Sequence, residues 1–465
     1  MLPVHPANAI GLPTAERSTF CSDRETLHAS GQKFCRLAIA LFMLNAVSSL
    51  LFIGFVNRPV YDDPNNLPDV HRYATEGVSL DTIRHHINPA GPTSFIWMGE
   101  AVRLLKGGEL LDGRIGALLS WVLLTAGVFF LARYSNFPEI WFAALLVVLV
   151  FPHAVEAGAT ILTEGPSLFF AVLGALAWTE FASRPDVTLG TLLMGLAGGA
   201  AMGVAVTCRQ YNLALLPAAA IFGAYQFVRH RRTSRGTAMW LVTAIGSLIL
   251  ASVPVLLLAM VWKGLSSPGM ATGTSYSNWQ AGVGLNISRP LIVAFYIAAY
   301  LVPLTFPVML IVKRARRWQV IFVALVCGAV AAHYRLQLLT PGPLHTLIVK
   351  LARGSILQSA FVGLIAAVTV YNVCAFGMLL WEKRSMILST APVAFALLTV
   401  VFFVAEQIGV GGNIPFYDRY VLSVAPFLGL IAFSVLPQLT YPRMLALATM
   451  SFAGQIILWR YAFGG

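Results

Sequence analysis

The chain has 465 residues, of which 58% are hydrophobic and only 11% charged, and its mean hydropathy is +0.76. Soluble domains carry roughly 25% charged residues, so this composition excludes a water-soluble globular protein and indicates a polytopic membrane protein. The formal net charge of +12 does not indicate nucleic acid, because the basic residues lie between apolar runs, where membrane orientation accounts for them.

The first 35 residues read as a polar cytoplasmic tail (Glu16, Arg17, Asp23, Arg24, Glu25) without the pattern of a cleavable signal peptide. Apolar runs long enough to cross about 30 Å of hydrocarbon then follow at 36–56, 114–132, 138–155, 164–181, 188–207, 212–228, 237–262, 290–312, 318–333, 355–380, 385–404, 419–437 and 443–460. The expected fold is therefore an all-α bundle of about 13 transmembrane helices. Segment 91–106 has apolar residues at helical spacing but carries Glu100, Arg103 and Lys106, which reads as an interfacial helix in a long first external loop, 57–113. With that loop outside, Arg133, Arg184, Arg229 to Arg232, Lys313 to Arg317, Lys383 with Arg384, and Arg443 all fall inside, as the positive-inside bias requires. Residues 36–230 read as one module and 231–465 as a second. None of the five cysteines is placed for a disulfide, and no Cys/His spacing suggests zinc.

The same orientation gathers acids, bases and aromatics on the external face. Asp62 and Asp63 open the first loop, and Pro64 and Pro68 argue for a stiff loop there rather than a continued helix. Glu156 and Glu164 follow, then Arg209, Gln210, Tyr211 and Asn212, then His333 and Arg335, and finally Asp418, Arg419 and Tyr420. Paired carboxylates suit general-base work or a hard divalent cation, Mg or Mn. A guanidinium pairs bidentately with phosphate. Arg209 reads either as such a ligand or as an arginine snorkelling to headgroups, and Arg419 either as a ligand or as the partner of Asp418.

These residues resemble the GT-C superfamily of polyprenyl-phosphate-sugar glycosyltransferases, and locally the alpha-1,2-glucosyltransferases within it. The acidic pair stands six and five residues before Pro68, with Tyr73 five after it, as in that family. Residues 163–170, TEGPSLFF, are similar to its Thr-Asp-x-x-Ser-Leu-Phe-Phe stretch with Glu164 for Asp, and 209–212, RQYN, to its Arg-Gln-Thr-Asn. Asn66 stands where the family usually has His. The resemblance implies an inverting hexosyltransferase, with glucose the expected hexose and Asp62 or Asp63 the base. Glu164 would assist the acceptor or a cation, and Arg209 and Arg419 would hold the donor phosphate. Tyr73, Gln210, Asn212, His333 and Arg335 are the expected substrate contacts. The expected partners are a polyprenyl-phosphate sugar, a lipid-linked or other extracytoplasmic acceptor and membrane lipids, in a bacterial inner membrane with the site outside. A lipid-linked-sugar flippase or another transporter, and an O-antigen-type ligase or polymerase, are the alternatives.

Overall fold

The structure, a computed structural model, describes residues 14–185, 187–230, 234–264, 267, 288–306, 314–334, 348–349, 352, 354–409 and 418–463. Most of these residues are helical, and no strand occurs among them. The helices are α1 (Thr14–Phe55), α2 (Asp63–Glu76), α3 (Leu80–Arg84), α4 (Pro92–Leu105), α5 (Glu109–Ala132), α6 (Pro138–Val150), α7 (Ala154–Ala159), α8 (Glu164–Ser183), α9 (Leu189–Cys208), α10 (Leu215–Arg229), α11 (Ser234–Trp262), α12 (Ser288–Thr305), α13 (Arg314–Tyr334), α14 (Ser355–Glu382), α15 (Arg384–Ser389), α16 (Ala391–Glu406), α17 (Ala425–Val435) and α18 (Tyr441–Phe463). Short 3₁₀ turns occupy Gln210–Ala214, Gln407–Gly409 and Asp418–Ser423.

Each of the thirteen apolar runs contains a helix, but the runs are not thirteen equal spans. Eight described helical stretches are long and apolar enough to cross a membrane, and four more are shorter apolar helices. The run expected at 419–437 is a 3₁₀ turn followed by an 11-residue helix. The run at 385–404 breaks at Thr390, ahead of Pro392 in the first turn of α16. In both places a proline starts a new helix within continuously apolar sequence. The 61–73 stretch is likewise helical rather than a loop from Asp63 onward. Pro64 sits in the first turn of α2, where its missing N–H costs nothing, and Pro68 is accommodated within the helix.

Burial follows from where the short helices lie. From Ile140 onward α6 is buried almost throughout, and α17 is buried along its whole length, so both form the centre of the bundle. Around them, α1 and α11 present large apolar side chains outward, among them Leu50, Phe55, Val242 and Met260, as a lipid-facing surface demands. Close helix contacts use glycine in place of a side chain. At Gly199 a Cβ would stand 2.2 Å from the Ser247 carbonyl oxygen, which sets the approach of α9 to α11.

The first loop is a small folded unit of its own. At 14 residues α4 is about 21 Å long, short of a membrane crossing. It buries Phe95 and Met98 against Val70 and Tyr73 of α2 and Ala117 of α5. The Gly91 N–H donates to the Cys208 carbonyl at 3.2 Å, and a Cβ at Gly91 would fall 1.8 Å from the Thr207 carbonyl oxygen. Thr93 adds a hydroxyl bond to Thr207 at 2.8 Å. The loop is thereby clamped to the end of α9.

A buried carboxylate holds the loop's interior. Asp69 accepts N–H bonds from Ile87 (3.1 Å) and Asn88 (2.8 Å), and its Oδ1 lies 3.3 Å from Nδ1 of His86. The His86 ring stacks parallel to Trp262 at 5.6 Å, and the Trp262 indole N–H donates to the Ile83 carbonyl at 2.8 Å, fastening the end of α11 to the loop. Burial alone would raise the pKa of Asp69. The hydrogen bond and charge of His86 and the two backbone N–H groups outweigh it and hold the carboxyl below its ordinary value of 3.8. A depressed pKa contributes stability above the unfolded value and loses it as pH falls through the folded one. We therefore expect Asp69→Asn to lower the melting temperature of detergent-solubilised protein by a few degrees at pH 7. The gap from wild type should shrink only once pH drops below about 3.8. Equal melting temperatures at pH 7 would show that Asp69 does not hold the loop.

Candidate active site

Helix ends converge at one end of the bundle. They are the C-terminus of α1, the N-termini of α2 and α8, the C-terminus of α9, the 3₁₀ turn 418–423 and the C-terminus of α18. The backbone between α1 and α2 turns sharply enough to put Tyr61 at φ +57, a left-handed conformation uncommon for an aromatic residue. The turn is held by Arg114, a buried guanidinium near the start of α5 that is only 1% exposed. Its Nη2 donates to the Arg58 carbonyl (2.9 Å) and to Asp63 Oδ2 (2.6 Å), and its Nη1 donates to the Val56 carbonyl.

The two adjacent acids are thus separated in role. Asp63 is fully buried, and its two oxygens are taken by Arg114 and by the backbone N–H groups of Val60 and Ile161. Asp62, at the N-cap of α2, keeps its side chain 28% exposed and pairs with Nη2 of Arg419 at 2.6 Å.

Glu164 opens α8 and is 2% exposed. Its Oε1 accepts from Nη2 of Arg209 and lies 3.6 Å from Nε of Arg419. Its Oε2 makes no hydrogen bond, and neither does Nε of Arg209. The four groups form a chain of alternating charge, Asp62–Arg419–Glu164–Arg209, with no net charge. Tyrosines line it. The Arg419 guanidinium lies 4.8 Å from the Tyr61 ring and 5.4 Å from the Tyr420 ring, and Arg209 lies 5.2 Å from Tyr420 and 5.9 Å from Tyr211. Both guanidiniums thus lie against the Tyr420 ring, a contact favourable to each. Burial raises the pKa of the Tyr61 phenol, with Glu156 and Asp62 adding to the rise and Arg419 opposing it. Tyr61 stays a neutral hydroxyl.

The remaining expected site residues are distributed around this chain. Asn212 is buried and donates to Ser167 Oγ (2.7 Å) and the Ala205 carbonyl (2.9 Å), pinning the 210–214 turn to α8 and α9. The Gln210 amide donates to the Pro89 carbonyl at 2.8 Å, tying that turn to the first loop. Tyr73 is 1% exposed in the loop's interior, with its hydroxyl toward His86. His333 stands exposed near the end of α13 and is not among the groups that form the four-charge chain. Arg335 and the side chain of Asp418 lie outside the described residues. Glu156 is buried, paired with His153 at 2.9 Å and accepting from the Tyr461 hydroxyl at 3.0 Å.

The sequence reading assigned no role to Arg114, Tyr61 or Arg289, and placed Tyr420 on the external face without one. Arg289 is buried at the start of α12 and donates to Gln407 at 3.0 Å. Arg114 looked like the boundary of a span, and only its position against residues 56–63 reveals its role.

The fold and this cluster define a polytopic helical membrane protein with an arginine–carboxylate site at one end of its bundle. Residues 94–263 match the family model of dolichyl-phosphate-mannose-protein mannosyltransferases, a stretch that includes Glu164 and Arg209. Among proteins of curated function no sequence matches this chain. Among solved structures, it is similar to ArnT from Cupriavidus metallidurans bound to undecaprenyl phosphate, with 16% identity, 92% of this chain and 78% of that one covered, and a TM-score of 0.40. It is also similar to the archaeal oligosaccharyltransferase AglB from Archaeoglobus fulgidus in complex with an inhibitory peptide and a dolichol-phosphate. There the identity is 11%, the coverage 81% and 56%, and the TM-score 0.33.

Proposed function

We propose that this protein is a glycosyltransferase that moves a hexose, glucose by the local motif, from a polyprenyl phosphate to a hydroxyl of a lipid-linked or other extracytoplasmic acceptor. The observation that carries this reading is the alternating chain Asp62–Arg419–Glu164–Arg209, which sets two guanidiniums beside a partly exposed carboxylate. The family match over residues 94–263 supports it. The location is a bacterial inner membrane with the site outside, since basic residues such as Arg184, Arg229 and Arg443 gather at the opposite end of the bundle.

In the step itself, Asp62 accepts the proton of the acceptor hydroxyl as that oxygen attacks the anomeric carbon of the sugar. The bond from that carbon to the phosphate oxygen breaks, its electron pair leaves with the polyprenyl phosphate, and the configuration inverts. Arg209 and Arg419 stabilise the charge accumulating on the departing phosphate. Glu164 holds both guanidiniums in place for it. Asp63 has no free oxygen for this task and serves the backbone instead.

A divalent cation does not fit the described arrangement. Among the described residues no three His, Cys, Asp or Glu side chains come together. The two carboxylates that could bind one already face guanidiniums, whose charge opposes a second cation. We derive no step through a metal.

The test is direct. Purified protein in detergent, given polyprenyl-phosphate glucose and a lipid-linked acceptor pool, should form a new glycosidic bond and release one polyprenyl phosphate per bond. If no bond forms while reconstituted vesicles pass lipid-linked sugar across the membrane, the protein is a transporter.

A further inference from the structure

We propose that Tyr61 is a further catalytic residue, whose phenolic O–H donates a hydrogen bond to the phosphate oxygen that leaves the sugar. The inference rests on the reading of the site as a phosphate-sugar transfer centre and deepens it by adding a neutral donor to the two guanidiniums.

The backbone supplies the first observation. Tyr61 stands at φ +57 between α1 and α2. Glycine adopts that left-handed region freely, whereas a residue with a Cβ is strained in it. The turn is fixed around it. The Asp63 N–H donates to the Val60 carbonyl at 3.0 Å, the Val60 N–H to Asp63 Oδ2 at 3.0 Å, and Arg114 Nη2 to the Arg58 carbonyl at 2.9 Å. A tyrosine held in a glycine conformation beside a charged cluster points to a task for its side chain.

The side chain supplies the second. The Tyr61 ring is partly buried, with the Arg419 guanidinium 4.8 Å from its centre and the Tyr461 ring at 5.6 Å. Both contacts use the ring alone. Among the described residues none hydrogen-bonds the Tyr61 hydroxyl. The neighbouring acids are engaged elsewhere: Asp62 Oδ2 faces Arg419, and Glu156 pairs with His153 and accepts from the Tyr461 hydroxyl. The O–H is therefore left for a ligand, and the guanidinium beside it selects an anion. A phosphate drawn to Arg419 brings its oxygens to the phenol.

The chemistry explains what such a donor does. The sugar donor is a phosphodiester with one negative charge. Cleavage leaves a monoester, and the added charge collects on the oxygen that was bonded to the sugar. A hydrogen bond to that oxygen strengthens as the bond breaks, so it stabilises the transition state more than the ground state. Burial raises the phenol above its ordinary value of 10, with Arg419 opposing the rise. The second pKa of a phosphate monoester is only about 6, so the proton stays on Tyr61. The residue donates a hydrogen bond and does not act as an acid.

The experiment titrates two soluble probes into wild-type and Tyr61→Phe protein in detergent, at a pH about two units above that second pKa of about 6. Farnesyl phosphate is a monoester like the product, and farnesyl methyl phosphate is a diester like the donor. Phenylalanine keeps the ring and its contacts and removes only the hydroxyl. Tyr61→Phe should lose about tenfold in affinity for the monoester, the usual scale of a hydrogen bond to a charged group, and little for the diester. Its melting temperature should match wild type. Single-turnover transfer at saturating donor should fall by about 10²-fold, as when one donor to a developing charge is removed.

Wild-type affinities and rate in Tyr61→Phe overturn the proposal, since the ring alone would then suffice. Equal losses for the two probes also overturn it, because the hydroxyl would not be aimed at the leaving oxygen. Tyr61→Gly, which suits the left-handed turn, should lose the same preference for the monoester, and retention of that preference counts against the proposal. Wild-type protein that binds neither probe fails differently, because it removes the phosphate site and the transfer reading with it.

Discussion

Asp62→Asn protein is expected to transfer sugar about 10²–10⁴ times more slowly than wild type, the usual effect of removing a general base, while still filling its donor site. The substitution preserves the size of the side chain and removes the proton acceptor, together with the charge that pairs with Arg419. The measurement is single-turnover transfer at saturating polyprenyl-phosphate glucose, which separates the chemical step from binding. Asp63→Asn is the informative companion. Because Asp63 answers Arg114 and two backbone N–H groups, its loss should appear as lowered stability and poorly placed substrate rather than as a clean loss of the chemical step. Full transfer activity in Asp62→Asn would move the base elsewhere in the cluster.

The second large effect concerns stability. Arg114→Met should destabilise the protein by about 3–5 kcal/mol, because it strands the buried Asp63 carboxylate without a counter-charge. Arg114 also satisfies the Val56 and Arg58 carbonyls, so the turn that presents Asp62 loosens at the same time. Adding Asp63→Asn to Arg114→Met should recover part of the loss, since the two residues act as one unit and their effects are not additive. Thermal unfolding of the single and double variants in detergent measures this. Additive effects would mean that the pair is not coupled.

Much of this fold was legible in the sequence because lipid imposes long apolar runs, and each run contains a helix. The breaks were not legible. At Thr390 and at residues 418–423 the composition stays apolar across a change of helix, so hydropathy cannot see it. At the site, Glu164 and Arg209 were readable as charges at the ends of apolar runs, where only a partner or a ligand makes them tolerable. The difference between Asp62 and Asp63 was not readable. The two residues are chemically identical neighbours, and what distinguishes them is Arg114, 51 positions away from Asp63. Pro64 and Pro68 argued for a loop because proline usually interrupts helices, yet in the first turn it favours one.

The burial of α6 has a consequence for how the chain is made. At 13 residues α6 is about 20 Å long, too short to rest in a bilayer by itself. One wall of its niche is α17, where Gly429 lies so near Ala144 and Val147 that a Cβ would come within 3.0 Å of both. The ribosome reaches Gly429 285 positions after Ala144, which at about 5–20 residues per second takes roughly 15 s to a minute. For that interval the nascent membrane domain must shelter an undersized helix without its final neighbour. The last tenth of the polypeptide thus acts as the keystone of its first third, and assembly of the core is a late event in biosynthesis.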